Sequence, residues 1–400
     1  MLMSFKKGDM ERQIQHIPKK IQWCKRCVIN NQRPRIIFND DGICSGCVNT
    51  DYKNNEVDWN AREKELVDLL DKHRKNNGEY DVIVPSSGGK DSGYVAHQLR
   101  YKYNMNPLTV TWSPLQYTKI GFQNFQSCID SGLSNILYTP NGKLQRKLAR
   151  LCLEELGDAF HVFVLGQVSF PFHMAIKHNI KLVFYGENGE AEYAGDPLYA
   201  DNPYRPAKGW VDQYFKGTSF SDLLKYGIEN KDYLSEDDFV DADLIYYQHP
   251  SSESLEEAGI LGEYFYSYYH KWIPQENYFY CTEHTGFKPN SGRSEGTYSK
   301  YASLDDKMDG FHHYLRYIKF GIGRCCDDAS HEIRDGHITR EEAVILMNRY
   351  EGEFPKKYFK DFLNYLDITE EYFWEVVDSW RPEHLWKKED EEWIFKEFIK

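Results

Sequence analysis

The chain lacks several things, and each absence removes a class of function. No run of about 18 apolar residues occurs, so no membrane-spanning helix is predicted in its 400 residues. The opening Met1-Leu2-Met3-Ser4-Phe5-Lys6-Lys7 has none of the apolar core of a secretion signal. Nothing marks the nine cysteines for an oxidising compartment. A cytoplasmic protein with no membrane partner is the expectation. Position 2 is leucine, and no Gly-x-Cys-x-Gly elbow is read around any other cysteine, so no glutaminase nucleophile is in view. The Walker spacing, four residues between a glycine and Gly-Lys-Ser/Thr, is missing too, and gamma-phosphate transfer is not the first reading.

Positive charge is in deficit, with 49 Lys and Arg against 62 Asp and Glu and a net of −13. The deficit is uneven. Residues 1–35 carry nine basic side chains (Lys6, Lys7, Arg12, Lys19, Lys20, Lys25, Arg26, Arg33, Arg35) against Asp9 and Glu11, a net of +7 that leaves −20 for the remainder. An acidic body argues against a broad nucleic-acid surface. The basic end reads first as a solvated face, with RNA or an acidic partner as the functional alternative. The 30 tyrosines are assigned to cores and interfaces rather than to stacking on sugars or bases.

What is present begins with Ser86-Ser87-Gly88-Gly89-Lys90-Asp91-Ser92. A short apolar stretch, Tyr80-Asp81-Val82-Ile83-Val84-Pro85, precedes it and reads as a buried strand; a helical pattern runs on from residue 92 to 103. Strand, glycine turn and helix N-terminus together make a cradle for a phosphate or pyrophosphate, because glycines let backbone N–H groups approach an oxyanion and the helix dipole favours negative charge there. A plain turn rich in small residues is the bland alternative. This Ser-Gly-Gly-Lys-Asp-Ser run resembles the PP-loop of the N-type ATP pyrophosphatases, which cleave ATP between the alpha and beta phosphates and adenylate an acceptor.

Cys24-Lys25-Arg26-Cys27 and Cys44-Ser45-Gly46-Cys47 are separated by sixteen residues, the arithmetic of a four-thiolate zinc site. Residues 33–43 between them read as a strand and turn, so a zinc ribbon is predicted; disulfides are the competing reading. Four thiolates would fill the tetrahedron and make the metal structural. Cys128, Cys152, Cys281, Cys325 and Cys326 show no ligand spacing and default to buried thiols.

Length suits two or three domains at about 150 residues each. A basic N-terminus and ribbon is placed at 1–55, an ATP-binding core at 56–200, and an insertion with a helical C-terminal region at 201–400. Within the core, strands are predicted at 81–84, 108–112, 135–138 and 181–185, and helices at 92–103, 121–131, 142–156 and 167–178. That alternation predicts an α/β fold with a parallel sheet covered by helices on both faces. Ligands bind beyond the carboxyl ends of such strands. The glycine loop, Thr111 and Trp112 beside the adenosine, and the acidic loop from Gly186 with Glu187 and Glu190 should therefore share one rim. Clustered carboxylates on a glycine-bearing loop suit Mg2+ beside pyrophosphate, and this loop resembles the acidic loop of asparagine synthetases; a solvated acidic turn is the alternative. Beyond Asp196 no strand alternation is read, and no chemistry from Glu370 onward.

Ribbon, PP-loop and acidic loop in that order resemble the N-acetyl sugar amidotransferases, the WbpG and PseA type. The likeness continues through Ser303-Leu304-Asp305-Asp306-Lys307-Met308-Asp309, residues 319–334 and Tyr350-Glu351-Gly352-Glu353-Phe354-Pro355. It implies a PP-loop (adenine nucleotide alpha-hydrolase-like) core and an AMP-forming carbon–nitrogen ligase. That enzyme would turn the acetamido group of a UDP- or CMP-linked sugar into an acetamidino group through an O-adenylyl imidate, for lipopolysaccharide or flagellin (pseudaminic acid) biosynthesis. It further implies ATP, Mg2+ and zinc, and ammonia from a separate glutaminase with a cyclase-like subunit. Lys90, Asp91, Glu187 and Glu190 become the catalytic candidates, with Ser86 to Ser92, Thr111, Trp112 and Gly186 on ATP. Lys300, Lys307 and Arg324 are candidates for pyrophosphate or sugar phosphates. A tRNA-modifying PP-loop thiolase is the rival reading, and a non-catalytic assembly subunit the rival class.

Overall fold

The computed structural model describes residues 10–206, 217–230 and 233–400. Lys6, Lys7 and Asp9 of the basic end lie outside the described residues. After the cysteine region come α1 (Ser45–Asn55) and α2 (Trp59–His73), and then β1 (Val82–Pro85), α3 (Lys90–Tyr101), β2 (Pro107–Trp112), α4 (Lys119–Asp130), β3 (Ser134–Tyr138), α5 (Gly142–Leu156), α6 (His161–Lys177) and β4 (Leu182–Tyr185). Polar caps set several starts. Asp58 accepts the N–H of Asn60 and Ala61, Thr118 that of Gly121, and Asn141 those of Lys143 and Leu144, each occupying donors a helix leaves open.

Side chains alternate across β1 as a strand requires. Val82 and Val84 join Leu66 and Leu70 of α2 and Val95 and Leu99 of α3, whereas Ile83 joins α5 and α6 on the opposite face. The expected α/β class is what the structure has: a sheet in the order β3-β2-β1-β4-β6-β5, parallel throughout except for its last pair.

Those last two strands correct the expectation that nothing strand-like follows Asp196. β5 (Tyr204–Pro206) and β6 (Gly262–Phe265) belong to the same sheet, so the sheet core does not stop at 200. Glu263, 0% exposed, disguises β6 in the sequence. Its charge is met inside the sheet by Arg205 of β5, 3.1 Å away. A second correction concerns the C-terminus, where β7 (Trp386–Glu389) and β8 (Glu392–Phe395) form a hairpin. Asp390 and Glu391 turn it with positive φ, without the Asn-Gly or Asp-Gly pair that announces such a turn.

The rest of the C-terminal region is helical, as expected, and much of the aromatic content goes into its core: Phe311 stacks on Phe362 at 4.0 Å and both meet Phe373. Among the described residues no single helix is long and apolar enough to cross a membrane. α5 and α6, apolar enough only together, are bent by 117° and packed in the core.

One contact in that core is unusually close. α6 crosses β2 with Gly166 against the Trp112 indole, where a Cβ would overlap the ring. Gly166→Ala is expected to cost about 2 kcal/mol or more, read as a lower urea midpoint; an unchanged midpoint would contradict the close approach.

Candidate functional site

The glycine loop leaves β1 at the carboxyl edge of the sheet and enters α3. Gly88 must be glycine twice over: its φ is +83°, and a Cβ would overlap the backbone of Phe125 in α4. Ser86 Oγ lies 3.0 Å from Ser92 Oγ and accepts the Gly88 N–H at 3.3 Å, which fixes the turn from inside. Gly89 is the N-cap of α3 and gives no side-chain cap, so the first-turn amides have no side chain on them. This is the donor set an oxyanion needs. Lys90, 8% exposed, pairs with Asp91, and Asn277 Nδ2 donates to the other Asp91 oxygen at 3.2 Å.

Two cavities open beside the loop. One, of about 300 Å³, lies over Ser87 to Asp91 and is closed by Asp305, Asp309 and the aromatic rings of Phe160 and Phe163. The other, of about 160 Å³, runs from Lys90 and Asp91 past Glu187, Tyr193 and Trp272 to Asp328 and His331. Lys90, Asp91, Tyr301 and Arg324 line both. Burial, and next the charge of Asp91, push the Glu187 carboxyl up to about 7. Burial, and then Asp309, raise Asp305, whose carboxylate also takes a hydrogen bond from Ser87.

The cysteine cluster explains how Glu187 is presented. Cys24, Cys27, Cys44 and Cys47 have their sulfurs within 4.8 Å of one another. All four are free thiols with no exposure, a donor set that fits one tetrahedral zinc. Cys44 is flanked by Gly42 and Gly46, the spacing of a nucleophile elbow that sequence reading passed over, but its sulfur belongs to this cluster. The strand foreseen between the knuckles is reduced to single bridges at Trp23–Asn30 and Phe38–Cys44, and the second knuckle runs directly into α1. Arg334 packs against Gly46, where a Cβ would lie 2.5 Å from its Nη1. Its guanidinium feels the cysteine sulfurs, and so offsets the net −2 of four thiolates on a divalent ion.

From this cluster the ribbon grips the 186–196 loop, including its helical turn α7 (Gly189–Glu192). Arg35 pairs with Glu190 at 2.8 Å, Lys53 with Glu192 at 2.6 Å, Arg33 donates to the Tyr193 carbonyl, and Ser45 Oγ donates to the Gly195 carbonyl at 2.7 Å. Glu190, predicted beside Mg2+, is therefore directed at the ribbon. Its other oxygen accepts the Asp196 N–H at 2.7 Å, and it lines a separate cavity with Arg33 and Arg35.

Other candidates part company with the loop as well. Thr111 Oγ1 donates to the Ser86 carbonyl and braces the turn from beneath. Trp112 is buried among Tyr138, Phe170 and Tyr247; neither residue lines the loop cavity. Gly186 lies against the Trp272 ring and accepts the Ser267 N–H. Lys300 is exposed, and Lys307 is paired with Asp361 at 2.7 Å. Arg324 is brought in, held by Asp328 at 3.0 Å. Asp305, Asp309, Tyr193 and His331 reach the cavities without having been singled out. The signal was in the runs 303–309 and 319–334, which carried the family likeness without any of these side chains being given a role. Asp306 in fact caps the N–H groups of Leu115, Gln116 and Met308 and stitches that segment beside the loop.

Residues 295–400 match the family model described as LPS biosynthesis protein WbpG-like, C-terminal domain; Asp305, Asp309, Arg324 and His331 fall within the match. Over 89 residues the chain is 33% identical to an uncharacterised protein of Methanocaldococcus jannaschii, a stretch covering 22% of this chain and 31% of that protein. The NMN synthetase of Francisella tularensis aligns with 65% of this chain and 97% of its own at 16% identity, with a TM-score of 0.26.

Two outcomes follow from this geometry. The purified chain is expected to carry one zinc, and its removal by chelator to raise hydrogen exchange over 186–196 as the grip loosens; an iron–sulfur cluster, or unchanged exchange after zinc loss, would contradict it. Glu187 supplies a pH test. Its folded value near 7 stands above an unfolded value of about 4.3. The fold thus favours the protonated form, and the associated stability is whole below the unfolded value and lost as pH rises through the folded one. Glu187→Gln, fixed neutral, should melt above wild type at pH 8, with the gain shrinking toward pH 5. An equal gain at both would refute the buried charge as its cause.

Proposed function

We propose that the chain, whose residues 295–400 match a WbpG-like C-terminal domain, is an AMP-forming amidotransferase that converts an acetamido group of a nucleotide-activated sugar into an acetamidino group, in bacterial surface-glycan biosynthesis. One observation carries this reading. The uncapped cradle at α3 and the carboxylate-rich second cavity share Lys90, Asp91, Tyr301 and Arg324, so a nucleotide held on the loop would have its phosphates beside an acceptor in the second cavity.

An amide oxygen is a poor leaving group, and adenylation repairs that. The acetamido oxygen attacks the α-phosphorus, pyrophosphate leaves, and ammonia then adds to the imidate carbon and expels AMP. The first-turn amides of α3 together with Lys90 would receive the negative charge that builds on the departing pyrophosphate, and they are already in place to do so. Trp272, Tyr193 and Tyr301 offer apolar faces, and Asp328, Glu332 and Asp335 offer acceptors for hydroxyls, which is the pairing a sugar ring needs. Mg2+ would be held by Asp91, Asp305 and Asp309 with Glu187 at the side; Asp305, raised by burial and by Asp309, is in the crowding a cation relieves. When bound, the ion supplies neutralisation of phosphate charge.

Ammonia is assigned to a separate glutaminase with a cyclase-like subunit, since every cysteine is buried. The thiolase reading meets the same obstacle: burial pushes Cys128 up to about 11 and Cys281 up to about 12, and neither lines the two cavities. Reactive thiolates are found with lowered values.

The test offers the pure chain ATP, Mg2+, ammonium and a panel of UDP- and CMP-linked acetamido sugars, and follows AMP and the exchange of oxygen for NH by mass spectrometry. Turnover is expected with ammonium and not with glutamine, and Asp91→Ala should lower it by roughly 100-fold or more. Robust glutamine-dependent turnover by the pure chain would overturn the separate-glutaminase assignment. An Asp91→Ala chain with full pyrophosphate release would overturn the loop's catalytic role.

A further inference from the structure

The helix Arg324–Asp335 puts Arg324, Asp328, His331 and Asp335 at spacings of four, three and four, on one face, and all four line the second cavity. His331 differs from its neighbours. It is 7% exposed, its Nε2 is buried with no partner, and Tyr193 meets its ring edge-on at 5.0 Å. Leaving a buried polar nitrogen unpaired is costly, so a position that keeps one calls for a reason.

The surroundings set its charge state. Burial comes first, and Arg334 and Asp335 on its own helix, Lys53 of α1, Lys90 of α3 and Arg324 contribute the nearby charges, with Tyr193 and Glu187 across the cavity. The balance holds the imidazole well below its usual range and therefore neutral. A neutral imidazole presents one bare lone pair.

We propose that His331 is the proton acceptor of the adenylation step, taking the amide N–H proton of the acceptor as its oxygen joins the α-phosphorus. The inference rests on the amide-activation reading above. As the new O–P bond forms, the bond from the α-phosphorus to pyrophosphate breaks and its electron pair leaves with pyrophosphate. The N–H electrons become the second C=N bond, and the proton moves to the imidazole. Ammonia then adds to carbon, the C=N pair returns to nitrogen, and His331 gives the proton back. When the C–O bond breaks and AMP departs with its electrons, one proton of the added nitrogen passes through the freed imidazole to water, leaving the amidinium. A weakly basic imidazole suits this work, because an O-phosphorylated amide holds its N–H proton far less tightly than the amide it came from.

The experiment compares wild type, His331→Asn and His331→Ala, as full chains, on the acetamido sugar that wild type turns over. Both variants are expected to bind ATP within about threefold of wild type and to lose acceptor-dependent pyrophosphate release by about 10²–10⁴-fold in kcat, with KM for the sugar little changed. Added imidazole should restore His331→Ala by about tenfold or more, tracking the free base. A kcat within about fivefold of wild type, a loss confined to KM, or a His331→Ala defect that imidazole leaves untouched would each overturn the proposal. Should His331→Ala not fold, the kcat and KM of His331→Asn decide. A wild type inert on every sugar sinks the amide-activation reading and this inference together, whereas an active wild type beside an equally active His331→Asn sinks the inference alone.

Discussion

Four cysteine sulfurs within reach of one ion are the constraint from which the rest of the site follows. Residues 24–47 have almost no regular structure of their own and could not bury enough surface to hold a shape unaided; a tetrahedral metal on the four sulfurs would supply the missing constraint. Once folded, the ribbon places Arg33, Arg35, Ser45 and Lys53 along one side of the 186–196 loop. A surface loop of such acidity would otherwise be held by little. Arg334 ties the same cluster to the C-terminal helix, donating to the Glu192 carbonyl at 2.7 Å, so metal, loop and helix form one joint.

That joint divides the carboxylates of a single loop into different roles. Glu190 and Glu192 meet cations at under 3 Å and serve the scaffold. Glu187 meets Asp91 across a cavity and has its ionisation suppressed instead. The sequence offers three glutamates within six residues, equivalent by composition. Their neighbours, drawn from distant parts of the chain, make them unlike. A paired buried carboxylate holds the fold, and an unpaired one is available to a ligand.

Legibility followed the range of the interaction. The glycine loop, the four core strands and the cysteine spacing were readable because each is a local pattern with a local cause: positive φ at Gly88, alternation in β1, thiolate spacing at the knuckles. β6 was not, since a buried Glu263 makes sense only with partners such as Arg205, brought to it by the fold. Trp112 was placed on the rim by its position at a strand end, yet the gap that receives it is made by Gly166. Lys300 and Lys307 were chosen by charge, which says nothing of an Asp361 already waiting. His331 could not be found from its own text, because what singles it out is the absence of a partner in three dimensions.

The same logic assigns the division of labour between the halves. On the proposed function, the sheet and its loop would hold a nucleotide by its phosphates, and any acceptor brought to the α-phosphorus would meet the same donors. Selection among acceptors would then come from residues that reach past Lys90 and Asp91: Glu187, Tyr193 and Trp272 beside the sheet, and Tyr301, Arg324, Asp328, His331 and Asp335 within the C-terminal 106 residues that match the WbpG-like domain. Their helix begins at a turn fixed by Glu351, which accepts the N–H groups of Gly323 and Cys326, and by Arg316, which bonds the carbonyls of Ile322 and Gly323 and pairs with Asp327. Residues without any chemistry of their own thus set where the acceptor sits. On the proposed function, substrate choice would rest in good part on the region least readable as catalytic in the sequence.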